Sequence, residues 1–172
     1  WNFAEELDWY LLERPRHQGI RNIVADLNWL YRGTPSLYDQ DFKSEGYEWI
    51  DCHDSSQSVL SYVRKDRSGE SVAAAVFNFT PVPRTNYRIG VPSPGFYREA
   101  INSDAELYGG SNVGNQGGVN SEPVSWMGRP HSIPIAVPPL GALVLVCEPV
   151  PETVPESEAP TPAPSAEAEP QA

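Results

Sequence analysis

An all-β sandwich preceded by a short helical segment is the fold this sequence predicts, on three observations. Residues 17–31 carry one stripe of apolar side chains at helical spacing. After Phe42 the helical period gives way to short β-branched and aromatic runs. Seven or eight such runs follow one another between turn residues before position 148, the spacing of a sandwich. With 172 residues, 40% of them hydrophobic, the chain can bury one sizeable core and has no room for two full-sized domains.

Trp1 opens the chain on the dense stretch WNFAEELDW, with neither an initiator methionine nor a signal peptide, and the start reads as a break inside a larger protein. A short helix is expected over 5–12, with Glu5, Glu6 and Asp8 in its first turns, where the positive end of a helix dipole favours acids. The main helix is expected over 17–31, with Ile20, Ile23, Val24, Leu27, Leu30 and Tyr31 recurring at offsets of three and four. Pro15 stands before it, and Gly33 with Pro35 after it, as helix boundaries require. A third helical piece is expected over 36–40.

Strands are expected over 47–51, 59–64, 72–79, 87–91, 95–102, 124–127, 133–137 and 140–147. Residues 65–69 resemble a hairpin turn, and 111–118, with three Gly and two Asn, form a loop. Pro81, Pro83, Pro92 and Pro94 fall at strand ends, where a missing N–H does least harm. From Pro149 onward the chain has seven Pro and no aromatic residue, too little apolar content to offset the entropy of ordering. The expected division is a helical segment over 1–41, an all-β domain over 42–148 and a disordered Pro/Glu/Ala-rich tail over 149–172.

The net charge is −11, and six Glu with no Lys or Arg lie in residues 148–172. Without a basic face there is no means of displacing counterions from nucleic acid or an anionic membrane, so a neutral or cationic partner fits better. The longest apolar run, 140–147, is far below the ~18–20 residues of a spanning helix. A soluble, cytoplasmic protein is expected. Cys52 and Cys147 allow one disulfide at most; the simpler expectation is a pair of reduced core thiols.

The residues themselves offer little chemistry. Glu5 and Asp8 would share a face if the first helix forms, a spacing open to paired-carboxylate chemistry, but acids in a first turn are routine. Asp51, Cys52, His53 and Asp54 are metal-ligand types that strand alternation splits between faces, so no metal site is expected. The glycines at 109–118 match neither a phosphate loop nor a nucleophile elbow. Asn78-Phe79-Thr80 is formally a glycosylation sequon, placed in a strand and followed by Pro81. Trp1, Trp9, Trp29, Trp49 and Trp126 remain. Trp49, in GYEWID, is either packed in a core or domain interface or exposed as a stacking platform for a sugar ring, with Glu48 or Asp51 accepting hydroxyl hydrogen bonds. Trp29, beside the apolar stripe, is expected to pack.

Taken in order, EELDWYLLE (5–13), HQGIRNIVADLNWLYR (17–32), GYEWIDCHD (46–54), SVLSYVRKD (58–66), NFTPVPR (78–84), NSDAELYGGSNVGN (102–115) and PPLGALVLV (138–146) resemble the C-terminal end of the bacterial 1,4-α-glucan branching enzymes of the α-amylase superfamily. The resemblance spans nearly all of residues 1–148. It implies that the first 40 or so residues are the last helices of a (β/α)8 catalytic barrel and that the rest is the closing β-sandwich. It further implies cleavage of an α-1,4 bond, transfer to a 6-hydroxyl to make an α-1,6 branch, and no cofactor. That family's catalytic carboxylates belong to upstream barrel motifs with no counterpart here, so no catalytic residue is assigned and the chain alone is expected to be inactive. Surface aromatics contact glucan in the family, and Trp49 is the expected glucan-binding residue. The expected partners are an α-glucan and the missing barrel; a stand-alone glucan-binding module is the alternative.

Overall fold

The computed structural model describes residues 2–148. The expectations for Trp1 and for the 149–172 tail lie outside those residues. One helix, α1 (Pro15–Gly33), precedes eight strands: β1 (Tyr47–Asp51), β2 (Val59–Lys65), β3 (Val72–Asn78), β4 (Arg84–Val91), β5 (Phe96–Asn102), β6 (Gly118–Asn120), β7 (His131–Val137) and β8 (Ala142–Glu148). All pairings are antiparallel. Six strands form one sheet in the order β1-β2-β3-β8-β5-β6, and β4 with β7 forms a second.

The core lies between these sheets. Alternation along β2 and β8 turns Val59, Val63, Leu143 and Leu145 inward, where they join Val76 and Tyr97 from the large sheet and Ile89, Val91, Ile133, Ile135 and Val137 from the small one. β3 is buried on both faces along most of its length. Its outward residues Ala73 and Ala75 are small, and the 3-10 turn Pro35–Leu37 packs over β2 and β3 there. The buried Asn78 satisfies its whole amide: Nδ2 donates to the carbonyls of Val82 (2.8 Å) and Pro138 (3.0 Å), and Oδ1 accepts the Thr80 N–H and hydroxyl.

The long connection after β5 is held by side chains substituting for a ladder. Asp104 accepts from the Ser111 N–H and hydroxyl and the Val113 N–H, at 2.7–3.0 Å. Burial pushes its carboxyl up, but these donors more than compensate and hold it below the usual aspartate value. Asn115 donates to the Ala136 carbonyl and accepts the Ala136 N–H, tying the loop to β7.

Three expectations need correction. The predicted strand over 124–127 does not form; Trp126 and Arg129 instead close a tight two-residue turn, and the remaining strand is the short β6, which pairs with β5 as a sheet edge. That pairing is a long-range choice that local propensity does not encode. Residues 5–8 are not helical, and only a 3-10 turn, Trp9–Glu13, follows them. Leu7 is exposed, so a helix there would have no packing to offset its nucleation. The piece over 36–40 contracts to the turn Pro35–Leu37.

Helix α1 starts at Pro15, whose fixed φ suits the first helical position. It rests on the turn Glu106–Tyr108: Gly19 faces the Tyr108 carbonyl, and the Tyr108 hydroxyl donates to Asp26 Oδ2 at 2.7 Å. Burial, then this bond, raises the Tyr108 pKa to about 12. Of the predicted stripe, Ile23 and Leu30 are half-buried, while Ile20, Val24, Leu27 and Tyr31 are exposed. Trp29, expected to pack, is 71% exposed, with the Arg32 guanidinium 5.7 Å from its ring. It lies on the face of the helix that no part of the described chain covers.

In an open helix Gly→Ala stabilises by about 0.5–1 kcal/mol. At Gly19 a Cβ would run into the Tyr108 carbonyl, whereas at Gly33 it meets nothing within 4 Å. Gly19→Ala is therefore expected to destabilise by about 1–3 kcal/mol in urea unfolding, and Gly33→Ala to be neutral or stabilising.

Candidate functional site

β1 is the edge strand of the large sheet, and alternation turns Tyr47 and Trp49 to the face opposite Ile50 and the core. On β2, Tyr62 is the partner of Trp49 in register, and Phe77 on β3 sits diagonally beyond it. A row of aromatic rings results. Trp49 meets Tyr47 edge to face at 5.2 Å between centroids, Tyr47 meets Tyr62 at 5.0 Å, Tyr62 stacks on Phe77 at 5.9 Å, and Phe77 stacks on Phe79 at 6.4 Å. Trp49 is 47% exposed at one end and Phe79 63% exposed at the other. Trp49 is thus an exposed platform braced by Tyr47 and Tyr62 rather than a core residue, and flat aromatic rings of this kind suit the apolar faces of sugars.

The strand beneath is anchored from its other face. Glu48 accepts Lys65 Nζ at 2.8 Å through one oxygen and pairs with Arg129 at 2.8 Å through the other. Arg129, buried, also donates to the Trp49 carbonyl at 3.1 Å. Glu48 is therefore committed to structure and does not present the free acceptor expected beside Trp49. The hydrogen bond from Lys65 holds its carboxyl below the usual glutamate range against the opposing effect of desolvation, with Arg129 adding to the shift. Sequence reasoning missed Arg129, because nothing local links position 129 to 48. Tyr47, Tyr62, Phe77 and Phe79 were legible only as aromatics on alternate strand positions.

The row continues into a groove of about 500 Å³ between α1 and the outer sheet face, lined by Ile23, Leu27 and Leu30 on the helix and by Tyr62, Phe77 and Val144 on the strands. At its rim Asp41 accepts from the Tyr31 hydroxyl (2.7 Å) and Arg64 (2.5 Å). These bonds, Arg64 first, hold the Asp41 carboxyl below the usual range, and Asp41 in turn raises the Tyr31 phenol.

The other residues that the sequence singled out stand apart from this surface. Glu5 and Asp8 are exposed and share no helix, which removes the basis for a paired-carboxylate reading. Asp51 accepts the His53 N–H at 2.8 Å, and Asp54 accepts from Ser56, Gln57 and the Tyr87 hydroxyl, so both build the β1–β2 turn. No group of three metal-ligating side chains occurs among the described residues. The sequon Asn78 is buried with its amide fully engaged. Cys147 is buried as expected, but Cys52 is exposed because it follows the last residue of the edge strand; both are free. Among the described residues, no helix is long and apolar enough to cross a membrane.

Because the Glu48 carboxyl is held below its ordinary value of 4.5, its contribution to stability is complete above that value and is lost as pH falls through the lower folded-state value. Thermal midpoints measured from pH 7 downward should therefore decline below pH 4.5. Glu48→Gln is expected to lower the plateau and to remove that part of the decline.

Comparison with known proteins bears on this surface. The family described as alpha amylase, C-terminal all-beta domain, matches residues 49–148, beginning at Trp49 itself. The chain is 57% identical over 145 residues to the 1,4-alpha-glucan branching enzyme GlgB of Nitrosococcus oceani, covering 84% of this chain and 19% of that protein. It is 51% identical over 145 residues to the enzyme of the same name from Cellvibrio japonicus, with the same coverage. It is 53% identical over 146 residues to that of Marinobacter nauticus, covering 84% of this chain and 23% of that protein. The chain thus spans about one fifth of the length of these relatives. With eight antiparallel strands, two sheets around one core and a family match over more than half its length, the chain belongs to the alpha-amylase C-terminal all-beta domain family.

Proposed function

We propose that this chain is the C-terminal part of a 1,4-α-glucan branching enzyme of glycogen biosynthesis, in which it supports the catalytic barrel and holds α-glucan at Trp49. The observation that carries the reading is the exposed Trp49 at the head of an aromatic row, in a domain whose relatives are named branching enzymes. Cleavage of an α-1,4 bond and transfer to a 6-hydroxyl belong to the whole enzyme, which uses no cofactor; its carboxylates lie on the barrel. Residues 1–41 are its last helical part. The outward apolar residues of α1, Ile20, Val24 and Trp29, fit contact with that barrel, since an uncovered patch of this kind marks an interaction surface. A net charge of −11 favours a neutral polymer over nucleic acid or an anionic membrane. Two free thiols, with Cys52 exposed, fit the cytoplasm.

A stand-alone glucan-binding module is the second reading, favoured by a sandwich that closes a core of its own. Both readings place glucan at Trp49. In native gels containing glycogen the chain is expected to be retarded, with Trp49→Ala weakening the apparent affinity about ten-fold, or about 1.4 kcal/mol. Equal mobility with and without glycogen, in both forms, would remove Trp49 as a glucan contact. The readings part in an iodine-staining assay on amylose. The isolated chain should leave the stain unchanged, whereas a chimera joining it to the upstream four fifths of the Nitrosococcus oceani enzyme should diminish it. An inactive chimera that still binds glycogen would favour the module.

A further inference from the structure

A second cleft, of about 460 Å³, lies on the small-sheet side of the sandwich and is lined by Asp54, Gln57, Asn86, Tyr87, Arg88 and Trp126 among its wall residues. We propose that it is a second saccharide-binding site, with Trp126 as the stacking platform and the amides of Gln57 and Asn86 as hydroxyl partners. The choice of an α-glucan as ligand rests on the function proposed above.

Three features of the backbone converge on this cleft. The Trp126 N–H donates to the Arg129 carbonyl and the Arg129 N–H donates back, closing a two-residue turn with Met127 at φ 48° and Gly128 at φ 73°. Left-handed backbone is unusual for methionine, and such strain persists only where the surroundings enforce it. Opposite, the register of β4 on β7 shifts between Arg84 and Tyr87, and Asn86 in that irregularity also has a positive φ, 57°. Bulges of this kind re-aim side chains. Gly90 of β4 completes the arrangement, because any Cβ there would collide with the Trp126 carbonyl. Its bare backbone lets the turn lie against the sheet and leaves the indole of Trp126 46% exposed beside the cleft.

The chemistry of the walls selects an uncharged, hydroxyl-rich ligand. Arg88 is already bound to Glu122 (2.6 Å) and Ser132 (2.8 Å), and Asp54 to Tyr87 (2.8 Å), Ser56 and Gln57. Those two charges are neutralised or hydrogen-bonded within the protein. Among the described residues the side-chain amides of Gln57 and Asn86 and the indole N–H of Trp126 engage no protein partner, leaving planar donors and acceptors beside an aromatic face. A pyranose ring presents the matching pair of an apolar C–H face and a hydroxyl rim. The cleft is separate from the Trp49 row: Trp49 lies on the outer face of the large sheet, whereas this cleft is built on β4 and the Trp126 turn.

The test is titration of the full chain with maltoheptaose, following the indole N–H signals by NMR, with Trp49 and Trp126 assigned from Trp49→Phe and Trp126→Phe. A saturable shift of Trp126 is expected in the wild type and in Trp49→Ala. Asn86→Ala and Gln57→Ala, exposed or half-buried changes outside the core, should each weaken it at least three-fold without moving the Trp49 titration. A Trp49 signal that titrates while Trp126 stays fixed would overturn the second site and leave the proposed function standing. A titrating Trp126 with a silent Trp49 would support the cleft and remove Trp49 as the glucan contact. No movement of either signal up to millimolar sugar would overturn the proposal.

Discussion

The structure depends on a mismatch between its two layers. A six-stranded sheet is covered on its inner face by a sheet of only two strands, and that pairing buries the one continuous core, from Val59 and Leu143 on one side to Ile89 and Ile133 on the other. Among the described residues, the outer face of the large sheet receives no second sheet. It is covered instead by α1, by the Pro35–Leu37 turn over small alanines and by a row of aromatic rings toward the β1 edge. Apolar surface on a sheet has to meet something, and what α1 and the turns leave open is the surface on which Trp49 stands.

Polar side chains hold the segments outside the sheets. The connections leaving β3 and β5 of the large sheet are held by Asn78, Asp104 and Asn115, whose side chains pair with backbone groups outside the ladders. Arg129 does the corresponding work between elements, joining the Trp126 turn to the backbone carbonyl of Trp49 and to Glu48. Trp49 and Trp126 are therefore carried by neighbouring parts of one polar framework. Occupied together, the two proposed saccharide sites would hold one polymer at more than one point, which raises residence without requiring tight binding at either.

The helix shows how one apolar stripe can be divided between two surroundings. Ile23 and Leu30 turn toward the sheet, whereas Ile20, Val24 and Trp29 turn away from everything in the described chain. Periodicity reports that a face is apolar; it does not report whether one surface or two will cover it. Gly19 settles where the helix touches its own domain, since only a residue without a Cβ can rest against the Tyr108 carbonyl.

By itself the sequence determined seven of the eight strands and the span of α1 to within two residues at each end, because alternation, helical period and Pro15 are local signals that survive in the structure; the family was legible separately, from the ordered motifs that carry the resemblance. Trp49 was legible as a candidate from its polar setting in GYEWID, but its exposure was not. Tertiary structure alone decided that Tyr47, Tyr62 and Phe77 would line up beside it, that Glu48 would be taken by Lys65 and Arg129, and that 118–120 rather than 124–127 would become a strand. Each of these depends on which strand lies next to which, a choice made by long-range pairing and burial that no window of neighbouring residues contains.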